Sequence, residues 1–79
     1  MVQQVIKDES GKTIFSHRLE ELRTRQRRSR VVVSALCGLP PDAIRRYERG
    51  EAVPNVESLI AIADYFCVSI DYLVGRTNY

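Results

Sequence analysis

Apolar residues make up 44% of the 79-residue chain, yet they never run together for the ~20 positions that a membrane-spanning helix needs. Residues 1–12 lack the apolar stretch of ~7–15 positions that opens an export signal, so a cytoplasmic protein with no membrane association is expected. Cysteine is scarce. Cys37 and Cys67 lie thirty positions apart, each within an apolar helical pattern, and read more readily as small buried thiols than as a disulfide. Their spacing is not that of a zinc site. The single histidine, His17, has no recognisable ligand or triad partner and reads as a helix-surface residue, so no metal is expected. No phosphate-cradling glycine loop appears, and no nucleophile is paired with a base. An enzyme, a cofactor and a small-molecule ligand are therefore not expected. Repeats, low-complexity segments and linkers to a second domain are also missing, which leaves room for one small domain with a single core.

What the chain does have is arginine, and in one place. Residues 23–49 hold eight arginines against two acids, Asp42 and Glu48, a net +6 within a chain of net +2, so the flanks are net acidic. Such asymmetry points to a polyanion-facing surface. Arginine rather than lysine fits this, because its planar fork matches phosphate oxygens and guanine edges.

Residues 1–14 read as an N-terminal arm. "VQQVIKD" and "TIFS" are β-prone runs around the turn signal "ESGK", the pattern of a small hairpin. From Ser16 the period becomes helical, with Phe15, Leu19 and Leu22 sharing a face. Ser29 offers an N-cap to a second helix over about 30–37, which Gly38 ends in a left-handed conformation. A third helix over about 41–49, closed by Gly50, begins on two prolines, with Pro40 in the cap position and Pro41 as the first helical residue, where a missing N–H costs nothing. Asn55 caps "VESLIAIADYF", in which Val56, Leu59, Ile62, Ala63 and Phe66 recur at helical spacing. Ser69 caps "IDYLVG", which Gly75 ends, and residues 77–79 form a tail. The fold class expected is all-α, five short helices over 15–76 behind the arm.

Within residues 30–49, a small residue (Ser34), a glycine (Gly38) and an apolar residue (Ile44) fall at relative positions 5, 9 and 15. Two helices crossing steeply through a tight turn need these three, the signature of a helix-turn-helix. The segment "IRRYERGEAVPNVESLIAIADYFCVSIDYLVGR" extends the match, and the chain resembles the lambda-repressor-like helix-turn-helix family, the Cro/CI or XRE type, from Phe15 to about Arg76.

The resemblance implies a compact five-helix DNA-binding domain that reads the major groove with its third helix. It implies a homodimer acting as a transcriptional regulator of phage or mobile-element type, probing a palindromic double-stranded operator. An alternative is a protein-interaction module on the same fold, such as an antitoxin. Matched by position, the cap and first turn correspond to Pro40, Pro41, Asp42 and Ala43, and the outward residues to Arg45 and Arg46. Arg30 stands where the family has a glutamine that touches phosphate or base. Arg49 and the loop after Gly50 correspond to a phosphate-contacting turn, and Arg23 with Glu48 to a buried structural ion pair.

Chemistry agrees in outline. Arg45 or Arg46 can give a bidentate bond to guanine, Arg46 being the better placed. Arg28, Arg30 and Arg49 suit phosphates, which fix register without reading sequence. Asp42 has two open roles, accepting from cytosine or holding Arg45 or Arg46 near the helix start. The two prolines offer only apolar contact, for example to a thymine methyl.

Several positions depart from the family pattern. Arg27 and Arg28 replace a Gly–apolar pair, and Val32 is the candidate to fill the lost anchor. Val31 and Val32 replace polar residues and are expected either under the arm or in a subunit contact. Cys67 stands where glycine usually ends a helix, which puts a left-handed cap there in question. Dimerisation is expected through the arm or through Tyr72, Leu73 and Val74.

Overall fold

The computed structural model describes residues 7–79. It contains five helices and, among the described residues, no strand: α1 (Ile14–Gln26), α2 (Arg30–Leu36), α3 (Ala43–Glu48), α4 (Val56–Phe66) and α5 (Ile70–Val74).

Polar caps start four of these helices. Ser29 accepts from Val32 N, Asn55 from Ser58 N and Ser69 from Tyr72 N, each satisfying a first-turn donor that has no partner within its helix. Thr13 caps α1 in a reciprocal box with Ser16. The run "TIFS" is thus the start of a helix rather than a β-strand, because its threonine and serine side chains satisfy the backbone donors that a strand would have to pair. The first run expected of the hairpin lies mostly outside the described residues. The turn between the two runs is present: Asp8 Oδ1 accepts from Ser10 N at 2.9 Å and Lys12 N at 3.1 Å.

The start of α3 departs from expectation. Pro40 to Ala43 form a turn closed by Ala43 N–H donating to Pro40 O at 3.0 Å, and Pro41 and Asp42 stand before the helix, not in it. Proline at the second position and a residue near φ −97°, ψ 5° at the third are what a type I turn requires. Asp42 supplies no side-chain cap. That role falls to Ser34 of α2, whose Oγ accepts from Ile44 N at 3.1 Å.

Left-handed residues end the helices. Gly38, Gly50 and Gly75 follow α2, α3 and α5 with φ of 73°, 75° and 89°. After α2 and α3 the paired closing bonds of a Schellman turn form: Gly38 N to Ala35 O with Leu39 N to Ser34 O, and Gly50 N to Tyr47 O with Glu51 N to Arg46 O. Cys67 (φ 57°) keeps the same conformation without glycine, as does Arg27 (φ 59°). A Cβ in this region costs roughly 1–2 kcal/mol, so packing of α1 and α4 imposes both turns against local preference.

The core comprises Phe15, Leu19, Val33, Ile44, Ile62, Ala63 and Leu73, drawn from all five helices. Three expectations change. Val33 is buried while Val32 is 44% exposed, so Val32 does not replace the lost anchor. Val56 is exposed, leaving Leu59, Ile62, Ala63 and Phe66 as the inward stripe of α4. Leu73 is wholly buried and offers nothing to a subunit contact, while Tyr72 lies beneath the Arg18 guanidinium, 4.3 Å from ring centroid to Cζ. Of the thiols, only Cys37 is partly buried, and burial pushes its pKa up; Cys67 is exposed, and both are free.

Three side-chain hydrogen bonds fasten α3 to α1. Ser16 Oγ donates to Tyr47 O at 2.7 Å, beside an edge-on Phe15–Tyr47 contact. Arg23 grips the buried Glu48 with two bonds, Nε to Oε2 at 2.6 Å and Nη2 to Oε1 at 3.0 Å. The carboxylate beside it raises the Arg23 pKa, mainly through these hydrogen bonds. Glu48→Ala is expected to cost about 3 kcal/mol, because it leaves the Arg23 guanidinium without its partner. Urea unfolding measures this, and a loss under about 1 kcal/mol would show the pair to be dispensable.

The arm closes over the far end of α3. A Cβ on Gly50 would lie 2.0 Å from Gly11 O, whereas one on Gly38 would meet nothing within 4 Å. Lys7 Nζ also donates to Gly50 O at 2.8 Å. Gly38→Ala is therefore expected to cost about 1 kcal/mol from backbone strain alone, and Gly50→Ala roughly twice that or more. Equal losses in parallel urea titrations would mean that the arm does not press on this turn.

Candidate nucleic-acid interface

The α2–α3 pair opens a cleft of about 600 Å³ lined by Arg23, Ser29, Arg30, Val31, Pro41, Asp42 and Arg45. Its position follows from the turn that separates the two helices. Ser34 and Gly38 bring α2 and α3 into contact on one side, while the Pro40–Ala43 turn holds the start of α3 away from the start of α2 on the other. Of the residues expected to touch nucleic acid, the cleft unites Arg30, Asp42 and Arg45.

Ile44 is fully buried, so the helical period turns Arg45 and Arg46 away from the core; both remain exposed to solvent in substantial part. Arg46 is exposed, and among the described residues no carboxylate lies within ion-pair distance of it. Arg45 sits between two acids, with Nη2 3.9 Å from Asp42 Oδ2 and Nη1 4.0 Å from Glu51 Oε1. Of the roles open to Asp42, the geometry shows the hold on Arg45, three residues on, and no such contact with Arg46.

The three arginines expected at phosphates occupy different settings. Arg30 donates its Nε to Glu48 Oε1 at 2.9 Å, so that one buried carboxylate takes three guanidinium N–H groups, two from Arg23 and one from Arg30. Arg30 still keeps 40% of its side chain exposed and lines the cleft. Arg28 lies outside the cleft and donates to the Tyr65 hydroxyl at 3.1 Å, while that hydroxyl donates to Gln26 Oε1 at 2.7 Å. Arg49 is paired with Glu51, Nε to Oε2 at 3.0 Å.

Three participants escape a reading of sequence. Ser34 is legible as a small residue but not as the cap of α3. Tyr65 touches Arg28 because the C-terminal end of α4 brings its hydroxyl to the end of α1, where it also meets Gln26. Glu51 follows the glycine, and its position two residues beyond Arg49 was the available signal.

Elsewhere, His17 is exposed on α1 as expected and bonds Asp8 at 2.7 Å through Nε2. Bonds from Ser10, then His17, hold the Asp8 carboxyl well below its usual range. Val31 and Val32 are 60% and 44% exposed, and the described part of the arm lies at Gly50. Among the described residues no three His, Cys, Asp or Glu side chains form a metal-capable group, and no helix is long and apolar enough to cross a membrane.

Comparison with known proteins places this geometry. The Helix-turn-helix family model matches residues 19–73, well over half of the chain. The HTH-type transcriptional activator BcrR of Enterococcus faecalis is 33% identical over 61 residues, 77% of this chain and 30% of that protein. The cryptic phage CTXphi transcriptional repressor RstR of Vibrio cholerae is 44% identical over 39 residues, 49% of this chain and 35% of its own length. This chain thus spans about a third of the length of either relative. Among solved structures, the P22 c2 repressor in complex with a synthetic operator superposes with a TM-score of 0.71 at 29% identity, covering 75% of this chain and 89% of that one. The solution structure of the SOS-response transcriptional repressor LexA from Eubacterium rectale gives 0.75 at 25% identity, covering 87% and 72%. With the α2–turn–α3 geometry, the match over residues 19–73 establishes that the chain belongs to the helix-turn-helix family of lambda-repressor-like domains.

Proposed function

We propose that this chain is a sequence-specific, double-stranded-DNA-binding transcriptional repressor that inserts α3 into the major groove. The observation that carries this reading is the outward-facing Arg45–Arg46 pair on α3, with Arg46 exposed, Arg45 half-buried in the lining of the basic α2–α3 cleft, and Ile44 buried behind them. The likeness to a repressor held on its operator supports it.

In this reading Arg46 gives a bidentate bond to guanine, and Arg45, aligned by Asp42, reads a neighbouring base. Arg49 and Arg28 meet phosphates at either side, and Arg30 meets one while remaining tied to Glu48. Pro40 and Pro41 lie at the entrance of the groove, where they make only apolar contact. The protein acts in the cytoplasm as a homodimer on a palindromic operator, its half-sites about one helical turn apart, ~34 Å.

Fluorescence anisotropy on duplex DNA at two salt concentrations tests the electrostatics. With about six phosphates neutralised per dimer, affinity is expected to fall roughly 10³-fold between 50 and 200 mM salt. Failure to bind any duplex at low salt would sink the reading and leave a protein partner as the function of the fold. Selection of sites from a random duplex pool then supplies the operator and shows its symmetry. On that operator Arg46→Ala is expected to cost about 1–3 kcal/mol with much less effect on random duplex. Equal losses on both would reassign Arg46 to a phosphate.

A further inference from the structure

Among the described residues Glu51 is the one acid that faces both Arg45 and Arg49, and its place is built into the backbone. Gly50 N–H bonds Tyr47 O at 3.2 Å and Glu51 N–H bonds Arg46 O at 2.9 Å, so the chain doubles back and lays Glu51 against the last turn of α3. Gly50 is buried against the Gly11 backbone, so this turn has little room to relax. From there Oε2 reaches Arg49 Nε at 3.0 Å, and Oε1 lies 4.0 Å from Arg45 Nη1. On its other side Arg45 faces Asp42 at 3.9 Å through Nη2.

Exposed pairs of this kind contribute little to folding. Their effect on binding is another matter. Glu51 already takes the Nε donor of Arg49 that a DNA phosphate would use, and places a second negative oxygen 4.0 Å from Arg45. A random duplex offers these arginines phosphates alone, and those phosphates must compete with Glu51 for Arg49 Nε and for the side of Arg45 that Glu51 faces. Wherever a phosphate displaces it, the Glu51 carboxylate is left less well paired beside a polyanion. A duplex whose base edge meets Arg45 where Asp42 and Glu51 hold it demands no such exchange at Arg45.

We propose that Glu51 is a specificity-determining residue: it positions Arg45 between two carboxylates and competes with phosphate for Arg45 and Arg49, so that it weakens binding to random DNA more than binding to the operator. This rests on the DNA-binding reading above.

The test is Glu51→Gln in the full chain, measured by anisotropy on the operator selected with the wild-type protein and on a random duplex. Asp64→Asn, the same charge change at an exposed position of α4, serves as control. Random-duplex affinity is expected to rise about two- to fivefold in Glu51→Gln, the range set by one exposed pair or two. Operator affinity should rise less, so the specificity ratio falls. Absence of tightening on random duplex, tightening as large or larger on the operator, or an equal effect from Asp64→Asn would each overturn the proposal. If the wild-type chain binds no duplex, the DNA-binding reading has failed instead, and the two failures are distinct.

Discussion

The buried carboxylate of Glu48 is the constraint on which the helix-turn-helix depends. It is 1% exposed and takes three guanidinium N–H groups, two from Arg23 on α1 and one from Arg30 at the start of α2. A charge this deep is costly unless it is fully paired. Its neutralisation therefore requires α1, α2 and α3 to stand in one relative arrangement. The Ser16 hydroxyl fastens the adjacent Tyr47 carbonyl to the opposite end of α1. Helix α3 is only six residues long, too short to hold itself together by its own hydrogen bonds. Its stability is thus borrowed from neighbours: Ile44 from the core, the Ser34 hydroxyl at its first turn, and Gly50 at its end.

Much of this could be read before any coordinates. Serine or asparagine ahead of an apolar period marked three helix starts, and glycine marked three ends, because those signals act over three or four residues of local backbone. Ser34, Gly38 and Ile44 marked the crossing of α2 and α3 for the same reason, as did the Arg23–Glu48 pair through its family resemblance. What escaped depends on contacts distant in sequence. The choice of Val33 over Val32 turns on which side of α2 faces Leu19 and Ile44, and three adjacent valines carry no period that decides it. The left-handed turns at Arg27 and Cys67 contradict local preference and persist because tertiary packing sets the paths of α1 and α4. "TIFS" has β-prone residues, but a threonine and a serine three positions apart cap a helix equally well, and the following α1 decides between them.

The two prolines show how one local substitution reshapes the site. They offer neither a side-chain acceptor nor a backbone donor, so α3 cannot be capped from its own sequence at those positions. A type I turn takes up the missing turn of helix, and a serine from the preceding helix supplies the acceptor. The shortened α3 then begins at Ala43, which leaves Arg45 and Arg46 as its exposed polar residues ahead of Glu48.

Charge counting along the chain overstates the free basic surface. Eight arginines fall within residues 23–49, but Arg23 is spent on Glu48, and Arg30 shares that carboxylate. Arg25 pairs with Glu21 at 3.1 Å, and Arg49 with Glu51. Arg28 rests on a tyrosine hydroxyl. The segment's charge is therefore graded rather than uniform: buried and structural at Arg23, shared at Arg30, tethered at Arg45 and Arg49, and without an acidic partner among the described residues at Arg46 and Arg27. For a DNA reader this grading matters more than the total. A uniformly free set of arginines binds any phosphate backbone, because that attraction is blind to sequence. In the DNA-binding reading proposed above, tethering Arg45 and Arg49 would lower the part of the affinity common to every duplex, while Arg46, with no carboxylate within ion-pair distance among the described residues, would keep its full reach for a base edge.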